Sequence, residues 1–301
     1  MTRKDASIFL LLILTFLIWS NSFLAIAALR ESTTAFELVV MRFVPVGVIS
    51  LVIAFGFHRR EALQLLRAHP VRVGVIGLLT VIGYNFFLNH GMAWVTPAAS
   101  SLLVSLTPLL TLLMAMKFLH EAFSLRRLLG TLLAFGGLAV VVVFGKVGNM
   151  PGGALIPAEK VPYAVCVMLA SVCWSVATVL TKPLMERYSP VTVNFVMLSV
   201  GCLPLFGFLS EPILAKWGAF SPAQHLALLF LSIACTVVAF ALWFVALKHW
   251  KASNVTLFVY LNPPLTAVFD FLVNRHAITP WFAVGGVVML GGIFLATRPK
   301  S

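Results

Sequence analysis

Residues 102–111, LLVSLTPLLT, and residues 257–266, LFVYLNPPLT, are two copies of one segment, 155 positions apart. At the same offset Trp19 aligns with Trp174, and Gly136-Gly137 aligns with Gly291-Gly292. From position 102 to position 137, ten of 36 residues are identical to their counterparts without a gap. This is about twice what a shared apolar composition would give, so the chain is an internal duplication.

The composition distinguishes a water-soluble protein from a membrane protein. Over 301 residues, 61% are hydrophobic, only 10% are charged and the mean hydropathy is +1.04. A water-soluble globule of this composition would expose far too much apolar surface. Apolar runs of roughly 20 residues, the length that crosses a bilayer as a helix, recur along the chain, whereas the alternation typical of barrel strands is missing.

These runs predict ten transmembrane helices. Their expected bounds are 7–29, 37–57, 71–92, 97–118, 128–147, 161–181, 190–210, 223–247, 253–272 and 280–297. Since each copy holds an odd number of spans, the second copy inserts upside down. The predicted fold is an all-α integral membrane protein of two inverted five-helix repeats, 1–147 and 161–301, joined by a linker at 148–160. Inverted repeats are a common ground plan of secondary transporters.

The positive charge of the chain indicates a membrane surface rather than a nucleic acid as its partner. The formal net charge is +12. With the N-terminus inside, the inner segments hold fifteen basic residues: Arg3, Lys4, Arg59, Arg60, Arg67, Arg72, Lys117, Arg126, Arg127, Lys182, Arg187, Lys248, Lys251, Arg298 and Lys300. The outer segments hold five: Arg30, Lys146, Lys160, Lys216 and Arg275. This bias predicts that both termini are cytoplasmic and that the basic loops contact anionic lipid.

Small residues are expected to pack the helices. The last span of each copy carries a glycine set, namely Gly130, Gly136 and Gly137 in the first and Gly285, Gly286, Gly291 and Gly292 in the second. Such residues let helices approach closely. The four cysteines, Cys166, Cys173, Cys202 and Cys235, lie within predicted spans without metal-type spacing and are read as packing residues.

Pro108 and Pro263 occupy equivalent positions in the middle of the fourth and ninth spans. Each removes a backbone hydrogen bond and frees a carbonyl in the membrane interior. One interpretation is that they are hinges beside the transport pathway, as matched helix interruptions are in inverted-repeat transporters. The other is that they are inherited kinks relieved by neighbouring Ser and Thr.

Polar and aromatic residues inside the spans form the candidate substrate site. The predicted residues are Trp19, Asn21, Tyr84, Asn85, Ser101, Ser105, Trp174, Thr178, Trp243, Tyr260 and Asn262. For any single Ser or Thr, an interhelical hydrogen bond is the competing explanation. As a set they predict a cavity between the first, third, fourth, sixth, eighth and ninth spans. If Trp19 and Trp174 face each other, they are expected to sandwich the apolar part of a substrate.

Two charged residues fall inside spans, Arg42 in the second and Asp270 in the ninth. Both are expected toward the outer leaflet. They are candidates to pair with each other, or with Glu37 and Arg275 respectively. Ion coupling or direct substrate binding is the alternative role.

The motifs IWSNSFLAI from position 18, GYNFFLNHGMAWVTPAASS from position 83 and LHEAFSLRRLLGTLLAFGGL from position 119 resemble one repeat of the drug/metabolite transporter superfamily, EamA type. CWSVATVL from position 173 and FAVGGVVMLGG from position 282 resemble its second repeat. The resemblance implies ten helices in two inverted repeats, a substrate held between them and export of small metabolites. The amino-acid exporters of the bacterial inner membrane are similar in length and in their mid-span tryptophans. Glu121 is expected to pair locally with Arg126 or Arg127.

The predicted function is therefore a secondary transporter of the inner membrane, which exports small amphipathic metabolites by alternating access. An aromatic, mostly uncharged cavity suits amino acids with neutral side chains better than sugar phosphates. Exporters of nucleosides, drugs or other metabolites are the alternative, followed by a channel or an intramembrane enzyme. His120-Glu121 lacks the second histidine of a zinc motif, and no phosphate-binding loop is present. No cofactor, metal or catalytic residue is predicted. The expected partners are the substrate and the bilayer; the oligomeric state is left open, with a monomer as one option.

Overall fold

The structure is a computed structural model that describes residues 3–95, 97–144, 158–274 and 280–297, and these residues form helices without any β-strand. The first repeat contains α1 (Arg3–Ser20 and Ser22–Leu29), α2 (Ala35–Leu51, extended by the π-helical turn Val52–Phe57), α3 (Pro70–Leu78, π-helical Leu79–Gly83 and Tyr84–Met92), α4 (Pro97–Val104 and Thr107–Phe118) and α5 (Leu125–Phe144).

The second repeat contains α6 (Val161–Thr181), α7 (Pro190–Phe206), α8 (Pro222–Leu229, π-helical Phe230–Val238 and Ala239–His249), α9 (Ala252–Thr256, the 3₁₀ turn Leu257–Leu261 and Asn262–Asn274) and α10 (Pro280–Thr297). Short helices, Arg59–Ala68 and Glu211–Gly218, follow α2 and α7, and the 3₁₀ turns Ala158–Lys160 and Lys182–Glu186 flank α6. Residues 145–157, which include most of the predicted linker, lie outside the described part.

Seven of these units, α1, α2, α3, α4, α6, α8 and α10, are long and apolar enough to cross a membrane. α7 meets the same requirement together with Glu211–Gly218, to which it is bent by 109°. Among the described residues, α5 and α9 do not meet it. The helical membrane fold is therefore confirmed, and the number ten stays a prediction.

Equivalent residues of the two repeats make equivalent contacts. A Cβ atom on Gly47 of α2 would lie 2.8 Å from that of Cys202, its counterpart on α7. A Cβ on Gly77 of α3 would lie 2.6 Å from the carbonyl oxygen of Met197. In the equivalent contact, Ser232 of α8 stands for Gly77 and Arg42 stands for Met197, and the Ser232 hydroxyl donates to the Arg42 carbonyl at 3.2 Å. These paired contacts are those of two inverted repeats.

Glycines hold α5 against α10. A Cβ on Gly130 would lie 2.7 Å from the carbonyl oxygen of Gly292, and one on Gly137 would lie 2.7 Å from that of Gly285. Any side chain at these places would force the backbones apart, so the predicted packing role is confirmed for these four glycines. Gly136, Gly286 and Gly291 have open space around them, and the prediction was wrong there.

The two ends of the bundle are closed by equivalent contacts. We call the end with the loops around 58–69, 119–124 and 248–251 the basic end, and the other the opposite end. At the basic end Glu61 accepts hydrogen bonds from the backbone N–H of Ser189 at 2.6 Å, from its hydroxyl at 3.0 Å, and from the Thr192 hydroxyl. At the opposite end Lys216 Nζ lies 2.6 Å from Glu37 Oε1. We refer to these as the basic-end latch and the opposite-end latch.

Further bonds lie at the basic end, and the one between Ser253 and Glu121 joins the repeats. Glu121 lies 3.3 Å from Arg127 Nη1, which confirms the expected local pair, and it also accepts a hydrogen bond from the Ser253 hydroxyl at the start of α9. Lys182, at the end of α6, donates to the carbonyls of Leu247 at 2.6 Å and Trp250 at 2.9 Å. A cation here satisfies the free carbonyls that end α8.

Candidate functional site

A central cavity lies between the two repeats. All six spans that were expected to line it do so, and α2 contributes in addition. The lining residues are Phe16, Trp19, Ser22, Phe23, Ile26, Arg42, Tyr84, Asn85, Leu88, Val104, Thr107, Trp174, Phe240, Val259 and Asn262. Trp19 and Trp174, Val104 and Val259, and Thr107 and Asn262 are equivalent pairs, so the cavity follows the symmetry of the repeats.

The cavity is narrow in this structure. Its volume is about 40 Å³, which is room for about three waters. Binding of any larger solute therefore requires the walls to separate. Three of the helices that line this space are interrupted. α1 breaks at Asn21, α4 breaks before Thr107, and α9 contains its 3₁₀ turn.

Arg42 is the one charged residue among the described residues that line the cavity, and it is 5% exposed. Its Nε and Nη2 donate to the Thr236 hydroxyl at 3.1 and 2.9 Å, and its Nη1 donates to Asn85 Oδ1 at 3.0 Å. These partners are neutral. Within the described residues no carboxylate pairs with Arg42, so its charge is held in place without being neutralised.

The two residues that hold Arg42 are next to or within π-helical turns: Asn85 follows the π-turn of α3 by two residues, and Thr236 lies in that of α8. Asn85 donates to the carbonyls of Thr80 at 2.9 Å and Val81 at 3.2 Å, and Thr236 donates to that of Leu231 at 2.8 Å. A π-turn disrupts the regular backbone ladder and is frequent at functional sites. The side chains occupy carbonyls of these turns and present their own oxygens to the guanidinium.

The expected partners of Arg42 need a correction. Glu37 does not pair with Arg42, because it forms the opposite-end latch with Lys216 and caps its own helix through the backbone of Thr34. The Asp270 side chain and Arg275 lie outside the described residues, so the Arg42–Asp270 pair stays a prediction.

Aromatic side chains form much of the cavity wall. The rings of Trp19 and Trp174 meet edge to face with centroids 5.3 Å apart, and Trp174 also contacts Tyr84 at 5.1 Å and Phe240 at 5.4 Å. Trp19 Nε1 donates to the carbonyl of Cys235, in the π-turn of α8, at 2.8 Å. The expected sandwich is wrong for this state, because two rings in direct contact leave no space between them.

Trp174 separates the central cavity from a smaller inner cavity toward the basic end. The inner cavity is lined by Thr80, Trp174, Ala177, Thr178, Thr181, Trp243, Phe244 and Leu247. Two predicted site residues, Thr178 and Trp243, belong to it rather than to the central cavity. Trp174 is thus the only residue common to the described linings of both spaces.

The other four predicted residues are Asn21, Ser101, Ser105 and Tyr260, and they are not part of the cavity lining. Asn21 Nδ2 donates to the carbonyl of Leu17 at 2.9 Å within α1, and the buried Ser105 hydroxyl donates to the carbonyl of Ser101 at 2.7 Å within α4. Tyr260 donates to the carbonyl of Thr131 on α5 at 3.2 Å. None of these four lines the central cavity.

Pro108 lies in the first turn of the second half of α4, and Pro263 lies in the first turn of the last part of α9. A missing N–H is tolerated in a first helical turn. The carbonyl of Val104, four residues before Pro108, accepts from the Thr107 hydroxyl at 2.6 Å. Ser171 and Ser175 of α6 donate to the carbonyls of Leu103 and Thr107 at 3.2 and 3.3 Å. The free carbonyls around the break in α4 are thus satisfied, which fits both a hinge and an inherited kink.

Sequence reasoning missed Phe16, Phe240 and Thr236. Ser22 and Thr107 also line the cavity; both belong to the polar residues inside the spans, and Thr107 is the repeat partner of Asn262. Asn262 itself is buried, and its Oδ1 has no hydrogen-bond partner within the described residues. The cavity therefore offers a cation at Arg42, a free acceptor at Asn262 and aromatic walls.

Comparisons with known proteins agree with this architecture. A sequence profile of the EamA-like transporter family matches residues 6–143 and again residues 161–298. An uncharacterized transporter of Archaeoglobus fulgidus is 26% identical over 97% of both chains. A probable terminal-alkyne amino-acid exporter of Streptantibioticus cattleyicolor is 26% identical over 95% of this chain and 92% of its own. A solved crystal structure superposes with a TM-score of 0.75 at 23% identity, covering 97% of this chain and 96% of that one.

Proposed function

The chain belongs to the EamA-like transporter family, and we propose that it exports small zwitterionic solutes, above all amino acids with neutral or aromatic side chains, by alternating access. The membrane is the inner membrane of a bacterial cell, with the basic end and both termini in the cytoplasm. The excess of Arg and Lys at that end supports this orientation.

The observation that carries the substrate class is the buried cation Arg42 at the central cavity. A guanidinium in the membrane interior requires a partner, and Thr236 and Asn85 supply only neutral oxygens. A solute carboxylate would form charge-assisted hydrogen bonds with it, which are about twice as strong as neutral ones. The site thus favours solutes with a carboxylate over neutral solutes.

The other lining residues fit the rest of such a solute. The free Asn262 Oδ1 is an acceptor for an ammonium group. Trp19, Trp174 and Phe240 offer an apolar wall for a side chain. The name of the relative from Streptantibioticus cattleyicolor, a probable amino-acid exporter, agrees with this substrate class.

The cavities define a route for alternating access. The inner cavity lies between the central cavity and the basic end, with Trp174 at the boundary. Movement of Trp174 with α6 would join the two spaces and admit a solute from the cytoplasm. Rocking of the repeats about their shared axis would then open the opposite end.

Counterflow in proteoliposomes tests the substrate class. Vesicles preloaded with an unlabelled solute are diluted into the same labelled solute, across a panel of amino acids, nucleosides and cationic drugs. We expect saturable counterflow with neutral and aromatic amino acids, and none in protein-free liposomes. Counterflow confined to nucleosides or drugs would assign the protein to the alternative classes, and unsaturable flux would identify a channel.

Reaction with thiol reagents tests the orientation. In a cysteine-free variant, one cysteine placed in the linker at 148–160 should react with an impermeant reagent added outside intact cells. Reaction from the cytoplasmic side alone would reverse the orientation.

A further inference from the structure

A cavity much larger than the central one lies at the basic end. It sits between the start of α1, the loop before α5, the loop before α9 and the end of α10. Its volume is about 860 Å³, whereas that of the central cavity is about 40 Å³. Sites for drug-sized ligands enclose about 300–1,000 Å³, so this cavity is far larger than one amino acid needs.

The lining of this cavity is amphipathic. Phe9, Phe258 and Phe294 supply aromatic surface, and Arg126, Arg127 and Lys251 supply positive charge against one acidic lining residue, Asp5. Phe9 is 41% exposed and Phe294 is 60% exposed. In a bilayer these side chains face acyl chains, so the cavity opens sideways into the lipid as well as toward the basic surface.

Two polar atoms in the lining lack partners. Arg127 pairs with Glu121 through Nη1, but its buried Nε has no hydrogen-bond partner within the described residues. The buried Oδ1 of Asn254 has none either. The first is a donor and the second an acceptor, and both lie just beneath the cavity surface, so an occupant contacts them only when these side chains turn toward it. An occupant that then satisfies both brings an anionic or carbonyl oxygen together with a hydroxyl or ammonium group.

We propose that this cavity binds one anionic phospholipid, whose phosphate contacts Arg126, Arg127 and Lys251 and whose acyl chains lie along Phe9 and Phe294. Positive charge between helices at the cytoplasmic side is the setting in which anionic headgroups bind. A hydroxyl-bearing headgroup such as phosphatidylglycerol supplies the donor that Asn254 needs. This inference concerns a lipid and does not depend on which solute is carried.

Native mass spectrometry of the detergent-purified full chain tests the proposal, with added phosphatidylglycerol or phosphatidylcholine as the probe. We expect one phosphatidylglycerol to remain bound under conditions that remove phosphatidylcholine. Lys251→Gln and Arg126→Gln should each weaken its retention about five-fold, the contribution of one basic residue near an anionic lipid. Lys117→Gln is the matched control, because it removes an exposed cation at the same end but outside the cavity.

Two further arms separate the cavity from the surface and the lipid from a soluble anion. Ala122→Trp places a bulky ring in the cavity while keeping every charge, and it should weaken retention of the lipid. Glycerol phosphate, which has the same headgroup chemistry but no acyl chain, should not displace it. The proposal would be overturned by equal retention of both lipids or by an equal effect of Lys117→Gln and Lys251→Gln. Full retention in Ala122→Trp or displacement by glycerol phosphate would also overturn it.

Discussion

Glu61 and Lys216 occupy the same position in the two repeats, and each holds the first turn of a helix of the other repeat. Glu61 holds the start of α7 through Thr192, and Lys216 holds the start of α2 through Glu37. Thr192 and Glu37 are themselves equivalent positions. The same pair of positions is thus in contact at both ends of the molecule. At the basic end the carboxylate belongs to Glu61, and at the opposite end it belongs to Glu37, the partner of Lys216.

Removal of the basic-end latch should favour opening at that end. Hydrogen bonds to a charged group contribute about 1.5–3 kcal/mol each, so Glu61→Ala should shift the equilibrium by tenfold or more. The measurement uses a single cysteine at position 181, which lines the inner cavity, in a cysteine-free background. Its rate of reaction with an impermeant reagent from the basic side should rise.

The opposite-end latch provides the matched control. Lys216→Ala should lower the same labelling rate, because it favours opening at the other end. The effect should be smaller, since an exposed ion pair contributes only about 0.2–1 kcal/mol. A change in the same direction for both variants would show that the latches stabilise the fold without setting its conformation.

The basic-end latch should be insensitive to pH over the physiological range. Burial raises the pKa of Glu61, but hydrogen bonds from Thr192 and Ser189 and the nearby His58 outweigh burial, and the pKa lies below its ordinary value of 4.5. A group with a lowered pKa contributes stability above its unfolded pKa and loses it as the pH falls through the folded one. Only the thiolate reacts, so the labelling rate at position 181 is expressed relative to that of a free cysteine at the same pH. This relative rate should be constant from about pH 8 to pH 5.5 and rise only below about pH 4. A rise between pH 7 and pH 6 would contradict this assignment.

Restoring the backbone donor at either helix interruption should slow transport. Pro108→Ala allows a bond to the Val104 carbonyl, which now accepts from Thr107, and would make α4 continuous. Flux should fall while half-saturation stays within about twofold, because the change affects opening rather than contacts with the solute. Pro263→Ala should behave alike. Unchanged flux in both variants would leave the prolines as inherited kinks.

Truncation of Trp174 should weaken binding and join the two cavities. A buried large side chain contributes about 1.5–3 kcal/mol, so loss of part of its contact in Trp174→Ala should raise half-saturation by about tenfold. Trp174→Phe keeps a ring and should have a smaller effect. Trp281→Ala, which removes a tryptophan that is 53% exposed, is the control. An unaltered half-saturation in Trp174→Ala would mean that the solute binds elsewhere.

The fold and half of the site were predictable from the sequence. The gapless offset of 155 residues determined the repeats, and mid-span polarity identified Trp19, Tyr84, Asn85, Trp174 and Asn262. Tyr260 was misplaced because residues two apart on a helix do not share a face. Asn262 lines the cavity, so Tyr260 is turned away from it and donates to the carbonyl of Thr131.

The environment of Arg42 was not predictable in the same way. Counting α-helical turns placed it near the outer leaflet beside an acid, but its partners are brought to it by π-turns in α3 and α8. Such turns have no strong signature in residue types or spacing. Phe240 was missed for a simpler reason, since one phenylalanine among 25 carries no signal of its own.

The most direct test of the proposed site compares one amino acid with its amide, in wild type and in Arg42→Met. Methionine stands at the equivalent position of the second repeat, Met197, so this variant replaces the cation with a residue that the fold already accommodates. The wild type should prefer phenylalanine to phenylalaninamide at least tenfold in counterflow competition, as expected for a hydrogen-bonded charge. Arg42→Met should abolish that preference while remaining folded in the membrane. The same preference in both proteins would contradict the claim that Arg42 binds the substrate carboxylate.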